Sequence, residues 1–100
     1  MKKLTKKSKI LLGTPILVRW IDPATTRGGW RPASYVIERA NECGYGSQCM
    51  TVGIFVYKNA DYISIALNRT EDEWDDTDNP SVTEVMEIPV AVIKEIWELE

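Results

Sequence analysis

The sequence predicts a mainly β domain: a small barrel of five short strands, with one short helix inserted between strands 1 and 2. Three segments alternate side chains with a period of two, the pattern of a strand that turns one face to a core. Glycine and proline punctuate the chain at short intervals, which favours short strands joined by turns. A single segment carries a helical stripe instead.

Residues 16–22 form the first strand, with Ile16, Val18 and Trp20 on one face and Leu17, Arg19 and Ile21 on the other. Pro23 lacks the N–H that a ladder needs and ends the strand, so residues 24–29 are a loop. In residues 32–43, Pro32 suits the first turn of a helix, and Val36, Ala40 and Cys43 fall at i, i+4 and i+7. Gly44 is a natural stop, and residues 44–48 make a turn. Residues 50–57 are the clearest strand: Met50, Val52, Ile54 and Val56 face one way, and Thr51, Gly53, Phe55 and Tyr57 the other. Gly53 inside it predicts a bend or a bulge. After a short loop, residues 62–68 return as a strand with Ile63, Ile65 and Leu67 on one face, completing a hairpin.

Residues 69–81 carry Glu71, Asp72, Glu73, Asp75, Asp76 and Asp78, whose mutual repulsion predicts an extended, solvated loop around Trp74. Residues 82–88 resume strand character until Pro89. The last stretch fits a helix through Val90, Ile93 and Trp97, and equally a strand through Ile93, Glu95, Trp97 and Leu99. Four strands would leave an open edge, so we read a 3₁₀ turn over residues 89–93 followed by a short closing strand. The architecture expected is a five-stranded SH3-like or Sm-like barrel.

One hundred residues suffice for one domain. We divide them into a flexible basic tail, residues 1–13 with five lysines, and a barrel domain, residues 14–100. An apolar share of 44% with 27% charged residues is an ordinary globular balance. The net charge of −3 counts against a dedicated nucleic-acid binder, which needs excess cations to displace counterions from phosphates. With two cysteines, Cys43 and Cys49, and no histidine, one chain cannot build an ordinary four-ligand zinc site. Free thiols in a reducing compartment are the simpler reading of that pair. The absence of histidine also removes the commonest general base, so an enzyme is disfavoured and no cofactor is expected. The run Ile10-Leu11-Leu12 is broken at once by Gly13, Thr14 and Pro15, which fits neither a secretion signal nor a membrane span.

Three segments together, around Trp20 and Asp22 with Gly29 and Trp30, around Cys49, Thr51, Val52 and Gly53 with Asp61 and Tyr62, and around Ile88, Pro89, Ile93 and Ile96, resemble a family of small bacteriophage and prophage proteins. The likeness spans about residues 18–99; the lysine-rich start and the acidic loop depart from the family's plainer members. It implies a phage or mobile-element origin and a small β-rich fold, and it carries over no catalytic residues; with no secretion signal or membrane span read above, the expected location is the host cell cytoplasm. Small phage proteins of this size disarm host defences, some by forming oligomers that soak up nucleotide immune signals. By that analogy we expect a homo-oligomer.

The candidate ligand-binding residues are Arg27, Trp30, Arg31, Tyr62 and Trp74. In "TTRGGWR" two arginines flank a Gly-Gly pair; guanidinium forks and backbone N–H groups suit a phosphate, and Trp30 a stacked base. No phosphate-loop motif is present. Tyr62 is a second stacking candidate. Trp74 is a lid or an interface anchor, Trp20 a core or interface residue, and Trp97 a core residue. The acids around Asp76 fail the calcium-loop pattern: Glu87 stands at its twelfth position, but Ser81 stands at the sixth, where it needs glycine. The expected function is non-enzymatic sequestration of a nucleotide-type signal. The alternatives are a module that inhibits a host or phage protein through the acidic loop, and an Sm-like nucleic-acid binder using the basic tail.

Overall fold

The computed structural model describes residues 1–22, 30–43, 46–71 and 79–99. The elements are β1 (Lys2–Leu4), β2 (Pro15–Asp22), α1 (Ala33–Cys43), β3 (Ser47–Lys58), β4 (Tyr62–Arg69), β5 (Val82–Pro89), a 3₁₀ turn (Val90–Val92) and β6 (Ile93–Glu98). All six strands join one antiparallel sheet in the order β1-β6-β2-β3-β4-β5. The fold is mainly β with one short helix between the first two predicted strands, and the ambiguous C-terminal segment is a strand preceded by a 3₁₀ turn, as expected.

Two expectations change. Among the described residues the strand count is six, because part of the segment set aside as a flexible tail pairs as β1: Lys2, Lys3 and Leu4 stand opposite Glu98, Trp97 and Ile96. Leu4 and Ile10 pack against the core, and the Lys58 ammonium donates to the carbonyls of Lys6 (2.8 Å) and Ser8 (2.6 Å). Burial lowers the Lys58 pKa from its ordinary value. The barrel is also not closed. A strand has two edges, and β6 spends both of its own on β1 and β2, leaving none for β5.

The sheet curls because β3 changes partners along its length. From Ser47 to Ile54 it pairs with β2, and from Ile54 to Lys58 with β4. Gly53 stands at the crossover. A Cβ there would run into Ile65 Cγ2 and lie 2.7 Å from the Ala66 carbonyl oxygen, so only glycine lets β4 pass this close. Inside the curl lie Ile16, Val18, Phe55, Ile63, Ile65, Ile88, Ile93 and Ile96, all buried. Leu67 shares the phase of Ile63 and Ile65 but lies beyond this core and is exposed.

Two bulges reset the alternation. In β3, Phe55 opposes Ile65 and Tyr57 opposes Ser64, so Val56 is an extra residue. In β6, Ile93 opposes Trp20 and Glu95 opposes Arg19, which makes Lys94 the extra one. After that bulge the inward residue is Ile96, and Trp97 moves to the outer face. The expectation of Trp97 as a core residue is therefore corrected: its indole N–H donates to Glu95 Oε2 at 3.0 Å, and Lys3 Nζ stands 5.8 Å from its ring. Trp20 is partly buried against the core, and its Nε1 donates to Thr51 Oγ1 at 3.0 Å.

The β3–β4 turn is built by Asn59, whose side-chain oxygen accepts from the N–H groups of Asp61 (2.8 Å) and Tyr62 (2.9 Å). The Asp61 carbonyl then accepts from Val90 N at 2.8 Å, tying this turn to the 3₁₀ segment.

Gly53→Ala is expected to lower unfolding stability by about 1–3 kcal/mol, the usual cost of overpacking. Urea titration followed by circular dichroism measures it, and a wild-type midpoint would show that the crossover does not need glycine.

Candidate functional site

The first two strands of the central hairpin meet at Asp22 opposite Ser47, and residues 23–46 connect them. Of the sequence-predicted site residues, Arg27 and Trp74 lie outside the described residues, as do Asp75, Asp76 and Asp78 of the acidic loop. Trp30 is fully exposed at 103% of its reference area. Arg31 folds its guanidinium over the Tyr35 ring, 5.2 Å from the centroid. Tyr62 is half-buried at the start of β4, opposite Pro89, with the Tyr57 ring 6.2 Å away at a tilt of 59°.

These residues do not form one cradle. Tyr62 follows the end of β3, whereas the connection bearing Trp30 and Arg31 leaves from its beginning. Twelve residues of strand separate the two places.

A depression lies instead on the outer face, beside the Asp22–Ser47 end of the hairpin. It encloses about 620 Å³ and is lined by Arg19, Gln48, Cys49, Met50, Lys94 and Glu95. Strand alternation puts Arg19 and Met50 opposite each other across β2 and β3, and Glu95 opposite Arg19 across β2 and β6. The β6 bulge brings Lys94 to the same place, where its ammonium meets Gln48 Oε1 at 3.4 Å. Arg19 Nε pairs with Glu95 Oε2 at 3.5 Å, and Lys3 Nζ reaches Glu95 Oε1 at 4.0 Å. Cys49 is a free thiol, its Sγ 3.6 Å from the Ser47 carbonyl.

The electrostatics follow from these contacts. The hydrogen bond from Trp97 holds the Glu95 carboxyl below its ordinary pKa; partial desolvation opposes this, and the charges of Lys3, Arg19 and Lys94 reinforce it. One carboxylate is thus set among three cations, which leaves the basin with a positive excess. A guanidinium, an ammonium and an amide converge there, and the exposed Met50 side chain adds a polarizable apolar wall. Among the described residues, no three His, Cys, Asp or Glu side chains group to hold a metal ion. Among the described residues no helix is long and apolar enough to cross a membrane.

A second depression, about 320 Å³, opens where β3 and β4 part. It is lined by Thr51, Val52, Leu67, Glu84, Val85 and Met86, among others, and is mostly apolar.

Arg19, Gln48 and Lys94 were not singled out from the sequence. The alternation of residues 16–22 does turn Arg19 outward, which was the available signal; Lys94 arrives through a bulge that no local pattern announces. Comparisons with protein-family models, with curated proteins and with solved structures return no match for this chain.

The lowered Glu95 pKa gives a pH signature. Its contribution to stability is present above the ordinary glutamate pKa and is lost as the pH falls through the lower folded value. The indole fluorescence difference between wild type and Glu95→Gln should show a one-proton step with its midpoint below the ordinary glutamate value of about 4.3. A midpoint at or above that value would contradict the Trp97–Glu95 arrangement.

Proposed function

We propose that this chain is a non-enzymatic binding protein that holds a small, phosphate-bearing, nucleotide-type ligand in the basin of Arg19, Gln48 and Lys94. The observation that carries this reading is the convergence of a guanidinium, an ammonium and a side-chain amide on a depression of about 620 Å³. That volume is within the usual range for a small-molecule site. A phosphate takes charge-assisted bonds from Arg19 and Lys94, and the Met50 thioether lies against the base or sugar. The basin lies beside the end of the hairpin where Asp22 pairs with Ser47, between which Trp30 and Arg31 stand in the sequence.

The finer fold reading belongs to the same proposal. The order β6-β2-β3-β4-β5, with a 3₁₀ turn before the last strand, supports an SH3-like reading in which β1 is an added edge. The phage setting, the host cytoplasm and a counter-defence role rest on the resemblance of residues 18–99 to small phage proteins. In that setting the protein acts as a sponge, lowering free ligand by mass action without altering it.

The test is thermal denaturation against cyclic dinucleotides, cyclic mononucleotides and ADP-ribose derivatives. At least one should stabilise the fold, by about 2.7 kcal/mol when present at a hundredfold excess over its Kd. Arg19→Glu and Lys94→Glu should each weaken that ligand about tenfold or more. Mass spectrometry after denaturation should recover it intact. The absence of any melting shift at millimolar nucleotide would sink the reading, and a cleaved ligand would replace the sponge with an enzyme.

A further inference from the structure

With the basin of Arg19, Gln48 and Lys94 as the ligand site, a reading on which this rests, we infer that Glu95 is the basin's resident anion and competes with an incoming phosphate for Arg19. Lys3, on the edge strand β1, is the positioning residue that holds Glu95 aside when the phosphate binds.

Strand registers build the arrangement. On the outer face Glu95 of β6 stands opposite Arg19 of β2, and two residues further along β6 Trp97 stands opposite Lys3 of β1. Glu95 therefore has partners on two sides. Within the basin its Oε2 lies 3.5 Å from Arg19 Nε. Outside the basin the Trp97 indole donates to the same oxygen at 3.0 Å, and Lys3 Nζ lies 4.0 Å from Oε1. Of these three partners only Arg19 lines the depression.

The two basin cations are consequently unequal. Lys94 Nζ rests on a neutral acceptor, Gln48 Oε1, at 3.4 Å, so an anion meets it without displacing another. Arg19 instead presents its Nε to a carboxylate. A guanidinium grips a phosphate through two parallel N–H groups, and with Nε engaged its side-on fork is already taken. A phosphate that claims this fork must move Glu95 off Arg19. Until then the carboxylate also repels it, since like charges a few ångströms apart oppose each other even in a solvated site. Glu95 is ionised for this role: the Trp97 hydrogen bond holds its pKa down, desolvation opposes this, and the charges of Lys3, Arg19 and Lys94 reinforce it.

What Glu95 retains on leaving Arg19 sets how readily it yields. Its bond from Trp97 does not involve Arg19. Lys3 stands at the outer limit of ion pairing and closes on Oε1 once the guanidinium turns to the ligand. Lys3 thus favours the bound arrangement without touching the ligand, and only such a difference between two states shifts their balance. It is carried by a three-residue strand at the margin of the sheet, so the pairing of β1 with β6 tunes the basin from outside it.

Isothermal titration calorimetry of the full chain with inorganic pyrophosphate, at neutral pH and physiological ionic strength, tests this. The proteins are wild type, Glu95→Gln, Lys3→Gln, the double variant and Lys94→Glu, each checked for the wild-type circular dichroism spectrum. Glutamine still accepts from the Trp97 indole but carries no charge. Glu95→Gln should bind pyrophosphate about two- to fivefold more tightly, the scale of one solvent-exposed ion pair. Lys3→Gln should weaken binding about twofold in the wild-type background and leave it unchanged in the Glu95→Gln background. Unchanged or weaker binding by Glu95→Gln overturns the competition. An equal loss from Lys3→Gln in both backgrounds means that Lys3 attracts the ligand directly, and overturns its positioning role. Lys94→Glu judges the basin separately: if it abolishes binding while Glu95→Gln has no effect, the basin stands and the role of Glu95 falls. Pyrophosphate binding by none of the proteins rejects both.

Discussion

The crossing of β3 from one partner strand to another, at a residue without a side chain, is the constraint on which this fold depends. At 12 residues, β3 serves β2 with its first part and β4 with its last, and the sheet must turn where the two duties meet. Gly53 permits the turn because Ile65 and the Ala66 carbonyl occupy the space that a methyl group would need. The turn brings Ile63 and Ile65 over Ile16, Val18 and Ile96, which makes the core. The same parting of strands leaves the cleft at Val52 and Leu67. Core and cleft are thus two results of one bend.

Much of this was legible in the sequence because it is local. Alternation located β2 through β5 to within a few residues, and the Gly53 signal marked the bend. What was not legible depends on registers between distant strands. The bulge at Lys94 is defined only against Arg19 and Trp20, so nothing in "IKEIW" says that Ile93 and Ile96 will both face inward and Trp97 outward. The lysine-rich start reads as a solvated arm because its five charges dominate the composition. Its pairing appears only when the last strand supplies an edge to receive Leu4.

The basin shows the same division. Arg19 could be placed on an outer face by counting residues in twos. Its meeting with Gln48 and Lys94 needs three strands in register, and Glu95 is kept ionised there by an indole two residues further on. The sequence drew attention instead to the arginines around Gly-Gly, which lie on a connection rather than on the sheet. A binding surface made by strand pairing is less visible in a linear text than one made by a loop. Its side chains, set by the ladder, are better held once folded.

The pairing of the first strand with the last also has a kinetic meaning. β6 lies between β1 and β2, so the N-terminal half of the sheet lacks its shared neighbour until residues 93–98 have been made. A chain emerging from the ribosome can form the β2–β3 and β3–β4 hairpins early, but Ile16 and Val18 wait for Ile93 and Ile96 to cover them. Contacts of such long sequence separation slow folding. During synthesis the half-built sheet holds one edge of β2 open until β6 arrives to fill it.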